Sequence, residues 1–63
     1  MKFLLGDKVY YYHPYFDMNV FCTVIRYDSD GFYVVKDDYG MYFDIEEKLL
    51  KKANETSDYR NKK

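Results

Sequence analysis

The sequence predicts an all-β domain, a small barrel of four to five antiparallel strands with one short helical turn near the C-terminus. Two observations carry this. The runs Lys8–His13 and Val20–Tyr27 alternate their side chains between two faces, the period of a strand. Turn signals at Gly6-Asp7, Asp30-Gly31 and Tyr39-Gly40 separate short runs of aromatic and β-branched residues, which suit a pleated surface. Several short strands joined by tight turns are best served by closure, which removes the edges that an open sheet exposes.

Phe3, Leu4 and Leu5 form an apolar lead-in. Lys8–His13 places Val9 and Tyr11 on one face and Tyr10 and Tyr12 on the other, and Pro14, which has no ladder donor, ends the strand. Pro14–Asn19 reads as a loop carrying Tyr15, Phe16 and Met18. Val20–Tyr27 places Val20, Cys22 and Val24 opposite Phe21, Thr23 and Ile25. Apolar groups on both faces suit a long strand that bends to serve two packings. Asp28–Gly31 is a hairpin turn. It also matches a fragment of a calcium loop, but the position six residues after the glycine is Asp37, on the far side of a strand, and the turn reading is preferred. Phe32–Asp37 and Met41–Ile45 are the next strands, with Phe43 and Ile45 inward. Glu46–Leu50 is one helical turn with its acids at the N-terminal end, and Leu49 and Leu50 close the core. A last short strand runs through Lys51 and Lys52. The expected core is Val9, Tyr11, Cys22, Val24, Tyr33, Val35, Phe43 and Ile45. Residues 1–52 are thus read as the folded domain and 53–63 as a polar, disordered tail.

Sixty-three residues bury only about 60% of the surface the unfolded chain exposes, so the core is thin. Nine Tyr and five Phe offset this, and Tyr also serves half-exposed binding surfaces. Cys22 is the only cysteine, so no internal disulfide forms, which fits a reducing, cytoplasmic setting. The opening Met-Lys-Phe-Leu-Leu resembles the start of a signal peptide, but Gly6, Asp7 and Lys8 stop the apolar run. No apolar run approaches the length needed to span a membrane.

Net charge is −1 but unevenly spread. Seven acids lie between Tyr27 and Leu50 (Asp28, Asp30, Asp37, Asp38, Asp44, Glu46 and Glu47), against Lys36 and Lys48. From Lys51 onward five bases face Glu55 and Asp58. An acidic centre is a poor default for phosphate binding, which needs clustered bases.

The order of these pieces resembles the Tudor family within the Src-homology-3-like barrels. Gly6-Asp7-Lys8-Val9 is similar to the family's opening. Phe21–Ile25 is similar to its aromatic–small–Val-Ile strand, Tyr27-Asp28 through Gly31 to its hairpin, Asp38-Tyr39-Gly40 to its Asp-Tyr-Gly turn, and Glu47–Leu50 to its closing turn. The resemblance implies a Tudor-like barrel and a binding role. In the family, four aromatics cage a methylated Arg or Lys. The cage positions fall near His13 (beside Tyr12 and Tyr15), at Val20, at Lys36 and at Tyr39, and only Tyr39 keeps the family's aromatic there. The resemblance leaves the ligand open.

No acid–base or nucleophile pair is apparent: His13 precedes Pro14 at a strand end, and Cys22 lies in an apolar run where it reads as a small hydrophobe. One His and one Cys also argue against zinc. A non-enzymatic binding module without cofactors is therefore expected. It recognises a protein or peptide through Tyr12, Tyr15, Phe16 and Tyr39, with Asp37 and Asp38 selecting a basic contact. Tyr12 and Phe16 suit core covering as well as recognition. Two alternatives stand beside it. The acids could mimic nucleic acid and block a nucleic-acid-binding protein, or aromatics and the basic tail could bind a single strand.

Overall fold

The computed structural model describes residues 2–53. Five strands are present: β1 (Lys8–His13), β2 (Met18–Tyr27), β3 (Phe32–Asp37), β4 (Tyr42–Glu46) and β5 (Lys51–Lys52). Short 3₁₀ turns at Ser29–Gly31 and Glu47–Leu49 complete the elements of the described residues. Every pairing is antiparallel, and the strand order is β4-β3-β2-β1-β5. The all-β class and the short helical turn follow the sequence expectation. The closed barrel does not: β4 and β5 remain edges, and no ladder joins them. Two residues of β5 are too few to bridge across. Phe3 and Leu50, at 1% and 2% exposure, cover the inner face instead of a closing strand. Shortness and the lysines guard the β5 edge, and Asp44 and Glu46 charge the β4 edge. The tail expected from Asn54 to Lys63 lies outside the described residues.

Alternation places the core as the sequence implies. Val9, Tyr11, Cys22, Val24, Tyr33 and Val35 are buried on one face of the sheet. Phe43 and Ile45 are only partly buried, because β4 is an edge with a neighbour on one side. Leu49 corrects the expectation that both leucines close the core: it is 55% exposed, and only Leu50 turns inward. β2 begins at Met18, two residues before the expected Val20, because Met18 pairs with His13 across a tight Pro14–Asp17 connection.

The bend expected of β2 is a bulge. Val24 pairs with Val35 and Arg26 with Val34, leaving Ile25 without an opposite residue. Past the bulge the facing reverses, so Tyr27 sits opposite Tyr33 and their rings meet edge to face at 5.1 Å. At the following turn Asp30 and Gly31 both take positive φ, 68° and 79°, which an Asp-Gly pair tolerates where β-branched residues do not.

The N-terminal segment is held by the Tyr33 hydroxyl together with Glu47, whose Oε2 accepts from the Lys2 N–H at 2.9 Å. Tyr33 Oη accepts from the backbone N–H of Lys2 at 2.8 Å and of Phe3 at 3.0 Å, and donates to Glu47 Oε2 at 2.8 Å. Those contacts hold the Glu47 carboxyl below its ordinary value near 4.5, the Tyr33 hydroxyl contributing most and the Lys2 N–H next. Asp7 is also held low, chiefly by the N–H of Leu4 and further by Lys52. Carboxyls depressed on folding add stability above their unfolded values, and that stability disappears as pH falls through the folded ones. Asp44 acts in the opposite sense. Desolvation and then Asp28 raise its pKa, so protonation relieves strain between that pair. Melting temperature is therefore expected to fall as pH drops below about 4.5. Glu47→Gln should flatten that decline in a pH series of thermal melts, and an unchanged slope would show that the Tyr33–Glu47 contact carries no linkage.

Candidate functional site

The sheet has a ragged end. β3 finishes with Asp37 opposite Cys22, whereas β2 starts at Met18. The β1–β2 hairpin therefore overhangs the β3–β4 turn by Met18–Phe21, on the order of 13 Å at strand rise. The exposed flank of that overhang and the turn beside it form a cleft.

The cleft has a volume of about 320 Å³. Met18, Val20 and Phe21 supply its walls from β2, and Asp37, Asp38 and Tyr39 close it from the turn. Local chemistry sets the turn's shape. Asp37 Oδ1 accepts from the backbone N–H of Tyr39 and of Met41, both at 2.9 Å, an Asx-type turn. Gly40 takes a φ of 86°, and its N–H donates to the Asp37 carbonyl at 3.2 Å. With the turn's polar groups tied to its own backbone, Tyr39 stands out at 91% exposure. Asp38 makes no hydrogen bond or ion pair among the described residues and is exposed. One carboxylate is thus committed to shape and its neighbour is available to a ligand.

The hairpin tip holds a second aromatic group. Tyr15, 83% exposed, meets Phe16 edge to face at 4.8 Å, and Phe16 lies 4.8 Å from the ring of His13. Asp17 takes a positive φ of 53° at the tip, and its Oδ1 accepts from the Tyr12 hydroxyl at 2.6 Å. Tyr12 itself projects from the opposite face of the sheet to His13. The structure thus unites Tyr39 with Asp37 and Asp38, and Tyr15 with Phe16, at one end of the sheet. No ring contact joins the two groups, and Tyr12 stands apart on the outer face. Met18 and Phe21, the cleft's apolar walls, carry no site signal in the sequence. Pro14–Asn19 reads as a loop there, and only the pairing with His13 brings Met18 into β2 beside the turn.

Cys22 lies 3% exposed in the core, and burial, then Asp37 and Asp38, push its thiol up to about 11. Thiolate is the reactive form, so a thiol reagent should label Cys22 slowly in the native protein and rapidly after denaturation. Rapid native labelling, followed by mass, would show that the core opens at β2. His13 packs among Tyr11, Tyr15 and Phe16, and its Nδ1 is buried without a hydrogen-bond partner among the described residues. No three His, Cys, Asp or Glu side chains gather as a metal-ligand set among the described residues. No described helix is long and apolar enough to cross a membrane.

Four of the seven central acids have local partners. Asp28 accepts from the Ser29 N–H, Asp37 shapes its turn, Glu46 lies 3.6 Å from Lys48 Nζ, and Glu47 is held by Tyr33 and Lys2. No protein family, no curated protein and no solved structure matches the chain.

Proposed function

We propose that the protein is a non-enzymatic, cytoplasmic binding module that seats a basic side chain of a protein or peptide partner in the cleft between β2 and the β3–β4 turn. The observation that carries this reading is the junction of exposed Tyr39 and free Asp38 with the apolar walls Met18, Val20 and Phe21. An Arg or Lys needs an apolar channel for its stem and a carboxylate and ring face for its cationic head. The cleft offers all three. Tyr15 and Phe16 at the hairpin tip extend the contact along the same end, and Tyr12 flanks it from the outer face. The Tudor-like reading belongs to this proposal. Two of its cage positions, Val20 and Tyr39, line the one cleft, while Lys36 stands on the outer face and His13 at the tip.

Selection of the full chain against a random peptide library tests this. Bound peptides are expected to carry Arg or Lys. Against a selected peptide, Tyr39→Ala and Asp38→Lys should each cost about thirtyfold in affinity, the loss of one anchor of about 2 kcal/mol. Part of the Asp38→Lys effect should appear in the association rate and fade with salt. If Tyr39→Ala and Phe16→Ala both bind as well as the parent, recognition lies elsewhere.

A further inference from the structure

The face of the sheet opposite the core carries its own chemistry, distinct from the cleft. Ladder register assigns two neighbouring rows to it. One runs Lys51, Tyr10, Phe21 across β5, β1 and β2. The other runs Lys8, Thr23, Lys36, Tyr42 across β1 to β4. Tyr10 and Phe21 lie 5.2 Å apart with planes tilted by only 33°, so together they present a broad ring surface. Lys8 Nζ reaches Thr23 Oγ1 at 2.9 Å, and Lys36 Nζ lies 5.7 Å from the centre of the Tyr42 ring. A groove of about 390 Å³ flanks the first row, walled by Tyr10, Tyr12, Leu49 and Lys51.

Charge is segregated on this face. Neither row contains an acid. The acids of the face lie outside both rows: Asp44, in the middle of β4 opposite Val34 with Asp28 against it, and Glu46, at the end of β4 opposite Phe32. Three lysines interleaved with exposed or half-exposed rings complement a ligand that alternates anionic groups with flat, polarisable ones. An acidic peptide supplies the anions without the flat groups. A duplex supplies phosphates with its bases stacked inside. A single strand supplies both, with bases free to lie on rings and phosphates within reach of Lys8, Lys36 and Lys51.

We propose that this outer face binds single-stranded nucleic acid, with Tyr10, Phe21 and Tyr42 as stacking surfaces and Lys8, Lys36 and Lys51 on the phosphates. The site meets the peptide cleft at Phe21, which borders both, and its flanking groove shares Asn19 with the cleft. The two sites respond oppositely to Asp38, which lies beside Phe21 at the cleft. Asp38→Lys removes the peptide's counter-charge but adds a cation next to the stacking surface.

Fluorescence anisotropy with a labelled twelve-nucleotide oligothymidylate, titrated with the full chain over a salt series, tests the proposal. Saturable binding that weakens with salt is expected. Tyr42→Ala and Tyr10→Leu, the latter keeping a large apolar side chain in β1, should each weaken binding about tenfold at fixed salt. Lys8→Glu/Lys51→Glu should weaken it further and reduce the log–log salt slope by about 0.7 for each phosphate that a lysine no longer neutralises. Asp38→Lys should strengthen it. Circular dichroism melts confirm that each variant is folded. Absence of binding at low salt overturns the proposal. So does binding that survives both ring variants but disappears with Lys62→Glu/Lys63→Glu, which would assign it to the chain end. Equal competition by a polyglutamate peptide, with ring variants neutral, would make the face a site for acidic protein and also overturn it. None of these failures touches the peptide cleft, whose test uses Tyr39 and the opposite sign at Asp38.

Discussion

Tyr33→Ala is expected to cost the protein about 3–5 kcal/mol of stability. Tyr33 is fully buried, and its ring meets Phe3 at 5.4 Å and Tyr27 at 5.1 Å, both edge to face. Truncating a buried aromatic to alanine costs about 3–5 kcal/mol, from the transfer energy of the missing ring and the cavity left behind. Here the change also strands the buried N–H of Phe3 and takes one of two contacts from the Lys2 N–H and from the Glu47 carboxylate, which keep each other. A domain of this length has about 3–9 kcal/mol of total stability. One substitution therefore removes at least about a third of it, and the melting temperature should fall by at least about 12 °C. Thermal and urea unfolding followed by far-ultraviolet circular dichroism measures the loss. A cooperative melt within a few degrees of the parent would mean that Tyr33 is not the centre of the core.

Tyr33→Phe separates the ring from the hydroxyl. The ring contacts remain, so the cost should drop to about 1–3 kcal/mol, the range for leaving buried polar groups without partners. The same variant removes the main cause of Glu47's lowered pKa. Its acid limb should then resemble that of Glu47→Gln, tying the hydrogen-bond network to the pH dependence by an independent route.

Much of this architecture is legible in the sequence because only one face of the sheet is buried. Under that constraint a slip of one residue would turn every core side chain outward, so alternation alone identifies Val9, Tyr11, Cys22, Val24, Tyr33 and Val35. Closure is not legible in the same way. It depends on whether β4 and β5 meet, and no local pattern in Tyr42–Glu46 or Lys51–Lys52 encodes a pairing between them. The reversal of facing at Tyr27 is hidden too, since a bulge at Ile25 changes register without leaving a glycine or proline to mark it.

The cleft is half legible. Asp38-Tyr39-Gly40 is a turn whose chemistry forces Tyr39 outward, and sequence alone places a ring beside two acids there. Its apolar wall depends on how far one hairpin overhangs another, and this is fixed by the register of Met18 with His13 and of Cys22 with Asp37. The same overhang keeps Tyr15 and Phe16 from touching Tyr39. The outer-face rows arise likewise from register across four strands. Lys8 is far in the chain from Lys36 and Tyr42, and only the ladder aligns them.

Phe3→Ala should cost about 3–5 kcal/mol, while Leu4→Ser and Leu5→Ser should each stay within about 0.5 kcal/mol of the parent. The three residues form one apolar run in sequence, and composition cannot rank them. Geometry does. The Tyr33 hydroxyl holds the Lys2 and Phe3 amides, and this directs the Phe3 ring edge-on against Tyr33 inside the core. The Leu4 N–H instead donates to Asp7 Oδ2 at 3.0 Å and its carbonyl accepts from the Asp7 N–H, so the chain turns away toward Gly6. Leu4 and Leu5 are left 68% and 67% exposed. Phe3 and Tyr33 meet both through their rings and through the Phe3 N–H on the Tyr33 hydroxyl, so their effects should not add. The double variant Phe3→Ala/Tyr33→Phe should cost less than the sum of the single changes, because once Phe3 no longer anchors the segment the hydroxyl has less to hold. Urea unfolding of the four proteins measures that coupling. Additive costs, or a Leu4→Ser penalty as large as that of Phe3→Ala, would mean that the N-terminal segment covers the core in some other register.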